Sequence, residues 1–280
     1  MASGDAVAVA ADVRSGWDCH AHLFGPYARY PLAPDRSYTP PEASLSDCVA
    51  VQADLGLQHC VLVQPSAYRI DYSLVLDTLG LRPRWRAVLV SNDASTAQMR
   101  SWRALGVRGL RFSHRSDPAG NFPGSALMAD LQTLAPRMAD AGLHAELWTD
   151  CAALPGIAPI LRALPVPLVL DHMAGFDHRA GVDAPGFRLV RELMAQRPVW
   201  VKLCAYRNLR DAPDPQIGRD FMHALCQANA GQLVWGSDWP HLNLQPPPVT
   251  RNLFDQFRGW AADLALVQQI LVHNPARLYG

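Results

Sequence analysis

The sequence predicts an α/β protein built as a single (β/α)8 TIM barrel, and three observations predict it. Short apolar runs alternate with helix-like stretches along the whole chain. Eight such runs fit within 280 residues, the size of one barrel of eight strands and eight helices. Nearly every run ends in a polar or ionisable side chain, as strands do when they feed one pocket at a barrel mouth.

The predicted strands cover residues 17–22, 60–64, 85–90, 107–112, 143–148, 167–172, 199–204 and 233–238. Each is rich in Val, Leu or Trp, the composition of strands buried on both faces. Between them, residues 46–56, 95–106, 125–141, 187–196 and 220–230 place apolar side chains three and four apart. Several of these segments open on Ser or Asp and close near Gly, the marks of capped helices. A doubly wound open sheet is the alternative, but no G-x-G-x-x-G follows a strand and no P-loop is present. No repeat or low-complexity linker divides residues 16–280. Residues 1–15 read as a flexible tail. Asp5, Asp12 and Arg14 interrupt its apolar character, so it lacks the form of a signal peptide.

Bulk composition narrows the function. Lys+Arg and Asp+Glu balance at 25 each, so no net field draws the chain to nucleic acid or a membrane surface. No stretch approaches the apolar length of a membrane span. The six cysteines are scattered with no C-x-x-C, which suits reduced thiols better than a disulfide frame or a zinc site. The expectation is a cytoplasmic enzyme, monomer or homodimer, acting on a small molecule.

The polar strand ends carry the chemistry. Asp18-Cys19-His20-Ala21-His22 puts two imidazoles on one strand face, about 7 Å apart along the strand. The second strand ends in Gln64-Pro65-Ser66 and the fourth in Arg111-Phe112-Ser113-His114-Arg115. The fifth holds His144 and Glu146 and ends at Trp148, and the sixth ends in Asp171-His172. The seventh carries Lys202 ahead of Tyr206-Arg207, and the eighth ends in Gly236-Ser237-Asp238-Trp239-Pro240-His241. By strand alternation Asp18 shares a face with His20 and is expected to orient it, whereas Asp171 is expected opposite His172 in a structural role. Lys202 is expected inside the barrel, paired with Glu146 or Asp18. Arginines bind carboxylates through two parallel hydrogen bonds, so Arg111 and Arg115 point to an anionic substrate. Imidazoles can donate to a developing oxyanion and a carboxylate can accept the proton of a water, so the set offers the donors and the base of a hydrolytic site.

Asp-x-His-x-His on the first strand, Leu-Asp-His on the sixth and Gly-Ser-Asp-Trp-Pro on the eighth resemble the amidohydrolase superfamily. More narrowly, residues 18–26, 36–40, 61–66, 106–112, 169–173, 235–243 and 274–279 resemble its 2-pyrone-4,6-dicarboxylate lactonase-like branch. That resemblance implies that His20, His22 and His172 surround a scissile lactone carbonyl, with Asp238 as the general base. It implies that Arg111, Arg115 and Arg207 hold substrate carboxylates, with Ser66, Tyr38, Trp148 and His241 completing the pocket. Two departures weaken the match to that substrate. No arginine follows the sixth-strand histidine in His172-Met173-Ala174-Gly175, and Trp148 stands where the branch has tyrosine.

No metal cofactor is expected, because Arg111 on the fourth strand would repel an ion and His144 starts its strand too deep to reach the mouth. The alternative is a divalent ion, zinc or manganese, on His20, His22, His172 and Asp238. The expected partner is a small anionic lactone. The rival functions are a lactone isomerase or a divalent-metal-dependent hydrolase or decarboxylase on the same barrel, and a catalytically silent barrel that binds an anionic metabolite.

Overall fold

A computed structural model describes residues 15–280, so the tail expected over 1–15 falls, apart from Ser15, outside the described residues. The strands are β1 (Trp17–Ala21), β2 (His59–Val63), β3 (Arg86–Leu89), β4 (Val107–His114), β5 (Ala126–Leu127), β6 (His144–Thr149), β7 (Leu168–Leu170), β8 (Val199–Leu203) and β9 (Leu233–Trp235). They pair in parallel in the order β1-β2-β3-β4-β6-β7-β8-β9, with β5 added to β4. Leaving out the two-residue β5, these are the eight barrel strands the sequence predicts. Most ladders stop one to three residues short of the expected ends. His22, Gln64, Asp171, His172 and Asp238 therefore sit just past the strands, free of the sheet's alternation, whereas His20, Arg111, Glu146 and Lys202 lie within them.

Helices fill the outer layer. In α1 (Leu45–Leu55), Ser44 and Asp47 form a capping box and Gly56 closes the helix in the left-handed region. Ser95, Gln98 and Gly106 do the same for α3 (Thr96–Leu105). The segment expected over 125–141 is helical only as α4 (Met128–Ala141), because Ala126 and Leu127 pair with β4 instead. Several further helices, among them α2 (Ser73–Leu81), α5 (Leu154–Ala163) and Thr250–Ala261, escape the sequence pattern. In α5 the breaker Pro155 stands in the first turn, where its missing N–H has no intrahelical partner to lose.

The barrel interior is apolar below and polar above. Trp17, Val61, Val88, Val169, Trp200 and Tyr279 pack one cluster inside the strands. Tyr279 closes the floor, and its carbonyl accepts from Arg86 and Arg108. His144 meets its ring edge-on at 5.4 Å and lies as deep as the sequence predicts. All six cysteines are free thiols, and Cys226 alone is not fully buried. Among the described residues no helix is long and apolar enough to cross a membrane.

Where β9 meets β1 there is no ladder. Asp238 N donates to His20 O and His22 N to Trp239 O, both at 2.8 Å, and these bonds close the mouth. Gly236 is required there, since a Cβ on it would lie 2.6 Å from the His20 Cβ.

Candidate active site

The closure that joins β1 to β9 also brings their polar ends together. His20 Nε2 lies 3.3 Å from His22 Nε2, and Asp238 Oδ1 lies 3.3 Å from His22 Nε2 and 3.7 Å from His20 Nε2. The His172 ring stands 4.9 Å from the His20 ring. All four candidate catalytic residues are thus assembled and buried.

Backbone geometry presents two of them. Asp238 has φ 58, and His172, Met173, Ala174 and Gly175 run consecutively through the left-handed region with φ 49 to 57. A left-handed conformation costs a non-glycine residue roughly 1–2 kcal/mol, so this turn stores strain at the mouth. Asn208 Nδ2 holds it by donating to His172 O at 2.8 Å. The turn also corrects the placement of Asp171. Because β7 ends at Leu170, Asp171 escapes alternation and enters the interior beside His172. It accepts from Arg111 Nε and Nη2, both at 2.9 Å, and faces His20 Nδ1 at 3.3 Å.

Beneath the histidines lies a charged layer. Lys202 Nζ donates to Glu146 at 2.6 Å, as expected, and reaches His20 Nδ1 at 3.2 Å and Asp171 at 3.4 Å. Burial and the Lys202 charge hold His20 well below the usual imidazole range. Burial likewise lowers His172 to about 4, so both rings are neutral near pH 7. For Asp238 burial pushes the other way, yet Arg207 and then His172 outweigh it and hold the carboxyl well below its ordinary value. Arg207 Nε and Tyr206 OH, the latter at 2.7 Å, both donate to Asp238 Oδ2. Oδ1 is left facing the two imidazoles.

The pocket above is lined by His22, His172, Asp238, Tyr38, Ser66, Arg111, Trp148 and Arg207. Phe122 and Ser125, on the loop after β4, also line it and were missed by the sequence reading because that loop carries no motif spacing; Ser113 at the end of β4 and Asn243 after β9 line it too.

Three expectations are corrected. Arg115 does not line the pocket. It pairs with Asp150 at 3.3 Å and donates to Thr149 O, standing behind Trp148 with its guanidinium 5.1 Å from that ring. His241 sits behind Asp238, between Tyr206 OH and Thr250 Oγ1 at 3.3 and 2.8 Å. Asp18 does not touch the His20 ring. A register shift between Asp18 and Ala21 sends its carboxylate outward. There it accepts from Ser237 N, Ser237 Oγ, Gln52 Nε2 and, at 3.1 Å, the backbone N of His20, and braces the barrel closure.

His20, His22 and Asp238 also fit a divalent ion. Ligand atoms on a tetrahedral ion with bonds of about 2.0–2.1 Å lie about 3.4 Å apart, against 3.3, 3.3 and 3.7 Å here. Two further groups bring their ligand atoms within 4.8 Å of one another, His20–Asp171–His172 and His172–Cys204–Asp238. The repulsion expected from Arg111 is cancelled locally by Asp171.

Comparison with known proteins finds similar sequences and similar folds. A 4-sulfomuconolactone hydrolase of Rhizobium radiobacter is 31% identical over 273 residues, spanning 95% of this chain and 90% of that protein. A 2-pyrone-4,6-dicarboxylate hydrolase of Comamonas testosteroni is 33% identical over 276 residues, covering 94% and 89%. Two solved structures share the fold. A probable 2-pyrone-4,6-dicarboxylic acid hydrolase of Acinetobacter baumannii, with citric acid bound, superposes with TM-score 0.82 at 22% identity over 95% of this chain and 99% of its own. A zinc-bound amidohydrolase of Burkholderia multivorans gives 0.74 at 19% over 95% and 99%. The amidohydrolase family profile matches residues 17–280, and the chain belongs to that family.

Proposed function

We propose that the chain hydrolyses a lactone that carries an acidic group, with Asp238 as the base. The observation that carries this reading is the Asp238 carboxylate. It is buried and ionised, with one oxygen anchored by Arg207 and Tyr206 and the other turned toward His22. Oδ1 takes the proton of a water as its oxygen attacks the lactone carbonyl carbon. The ring C–O bond then breaks, and the proton passes from Asp238 to the leaving oxygen. His172 lines the same pocket, where the N–H of its neutral ring can donate to the developing oxyanion. A divalent ion held by His20, His22 and Asp238 would supply Lewis acidity and ready the water.

The acidic group is assigned to the Arg111 side of the pocket. Arg111 spends Nε and Nη2 on Asp171, and its side chain lines the pocket. Ser66 and Tyr38 line the pocket beside it. The names of the curated relatives support the same class, one a sulfo-substituted lactone and the other a pyrone dicarboxylate. The test is a panel of acidic and neutral lactones of matched ring size. Turnover should favour the acidic members by at least tenfold in kcat/KM. Equal turnover of both classes would remove the acidic group from the proposal.

A further inference from the structure

Phe122 has no part in the proposed chemistry, yet the fold goes to some length to place it. The loop between β4 and β5 crosses the mouth and is pinned at several points. Ser113 Oγ donates to Asn121 Oδ1 at 2.7 Å, and Arg115 N donates to the same oxygen at 3.2 Å. β5 then pairs with Phe112 and Ser113. On the far side, Gly124, with φ +88, packs so closely that a Cβ would lie 2.7 Å from the Ser66 carbonyl. Phe122 is thereby seated between two rings already in the pocket wall. Its centroid lies 5.4 Å from Tyr38 and 5.2 Å from Trp148, at interplanar angles of 54° and 34°. Arg115 lies over the Trp148 ring at 5.1 Å, itself fixed by Asp150. Phe122 and Trp148 keep part of their surface exposed, and both line the pocket that holds Asp238 and His172.

We propose that Phe122 is a specificity-determining residue: with Trp148 it forms an aromatic wall that selects flat, unsaturated lactone rings over saturated, puckered rings of the same charge. This rests on the acidic-lactone reading of the same pocket and adds the shape of the ring to it. A flat conjugated ring can lie offset against an aromatic face or meet its edge. A puckered ring holds its axial hydrogens against that face and keeps only partial contact. Ring shape is thus read by the wall, and charge by Arg111 on another side of the cavity.

Binding is measured first, by calorimetry in an Asp238→Asn background so that the ligand is not consumed. The probes are 2-pyrone-4,6-dicarboxylate and its fully saturated counterpart. The protein with Phe122 should bind the flat compound more tightly than the saturated one. Phe122→Leu keeps the apolar bulk and removes the flat face. It should weaken the flat compound about three- to tenfold and leave the saturated one within about twofold, and Phe122→Trp should restore the preference. The proposal is overturned if the flat compound binds no better than the saturated one, or if Phe122→Leu weakens both alike or neither. Hydrolysis is then followed with Asp238 intact. No turnover with the binding preference in place would end the hydrolase reading and leave the wall standing. Turnover with the same flat-to-saturated ratio in wild type and Phe122→Leu would end the wall and leave the hydrolase.

Discussion

His22 meets Asp238 with a lone pair. Its Nδ1 lies 2.6 Å from the Val63 carbonyl, which can only accept, so Nδ1 carries the ring's hydrogen. That tautomer turns Nε2 toward the Asp238 carboxylate at 3.3 Å, with His20 Nε2 equally close. Acceptors gathered in this way are stabilised by a shared cation. Metal-free protein is therefore expected to take up one zinc or manganese ion per chain and to melt at a higher temperature with it. His20→Ala should abolish both effects. Elemental analysis with thermal melting checks this, and a wild-type melting temperature and stoichiometry indifferent to both ions would contradict it.

Arg111 has two duties that a double substitution can separate. It neutralises buried Asp171 and faces the pocket. Arg111→Met should raise KM and also destabilise the fold by about 3–5 kcal/mol, because Asp171 loses a buried partner. Adding Asp171→Asn should recover most of the stability and none of the KM. Urea unfolding and steady-state kinetics on the same samples decide it. Recovery of both quantities together would mean that Arg111 acts only through Asp171.

Stability should fall with acidity before most carboxylates titrate. Burial lowers His144 to about 3 and His241 to about 4, whereas both titrate near 6.5 in an unfolded chain. Between those limits the unfolded state binds more protons. The stabilisation is therefore complete above pH 6.5 and is lost as pH falls toward 4. Each histidine contributes a slope of up to about 1.4 kcal/mol per pH unit in that window. His144→Gln should make the stability curve between pH 7 and 5 shallower. Curves of equal slope would show that His144 is not buried neutral.

Much of this molecule was legible in its sequence, for identifiable reasons. Strands buried on both faces read as apolar runs, and capped helices announce themselves through Ser44 and Ser95. His20, His22 and Asp238 were visible because their positions follow from strand ends. The misplacements of Asp18 and Asp171 share one cause. A register shift in β1 and a left-handed turn after β7 break the alternation from which their faces were read. Arg115 and His241 carry suitable chemistry, but which side of the pocket wall they occupy depends on the packing of Trp148 and Tyr206. Phe122 lies on a loop whose path is set by Asn121 and Gly124, contacts distant from any pattern in the chain.

The central claim is that Asp238 moves the proton in lactone hydrolysis, and Asp238→Asn tests it most directly. The amide keeps the size and hydrogen bonding of the side chain and loses the basic oxygen. With an acidic lactone as substrate, kcat should fall by on the order of 10²–10⁴, while KM changes little and the protein stays folded with a lowered melting temperature, because Arg207 loses its charged partner. In the wild type, kcat/KM should stay level above about pH 5 and decline below it, since Asp238 remains ionised and His172 titrates at about 4. Folded Asp238→Asn protein with near-normal kcat would contradict the account.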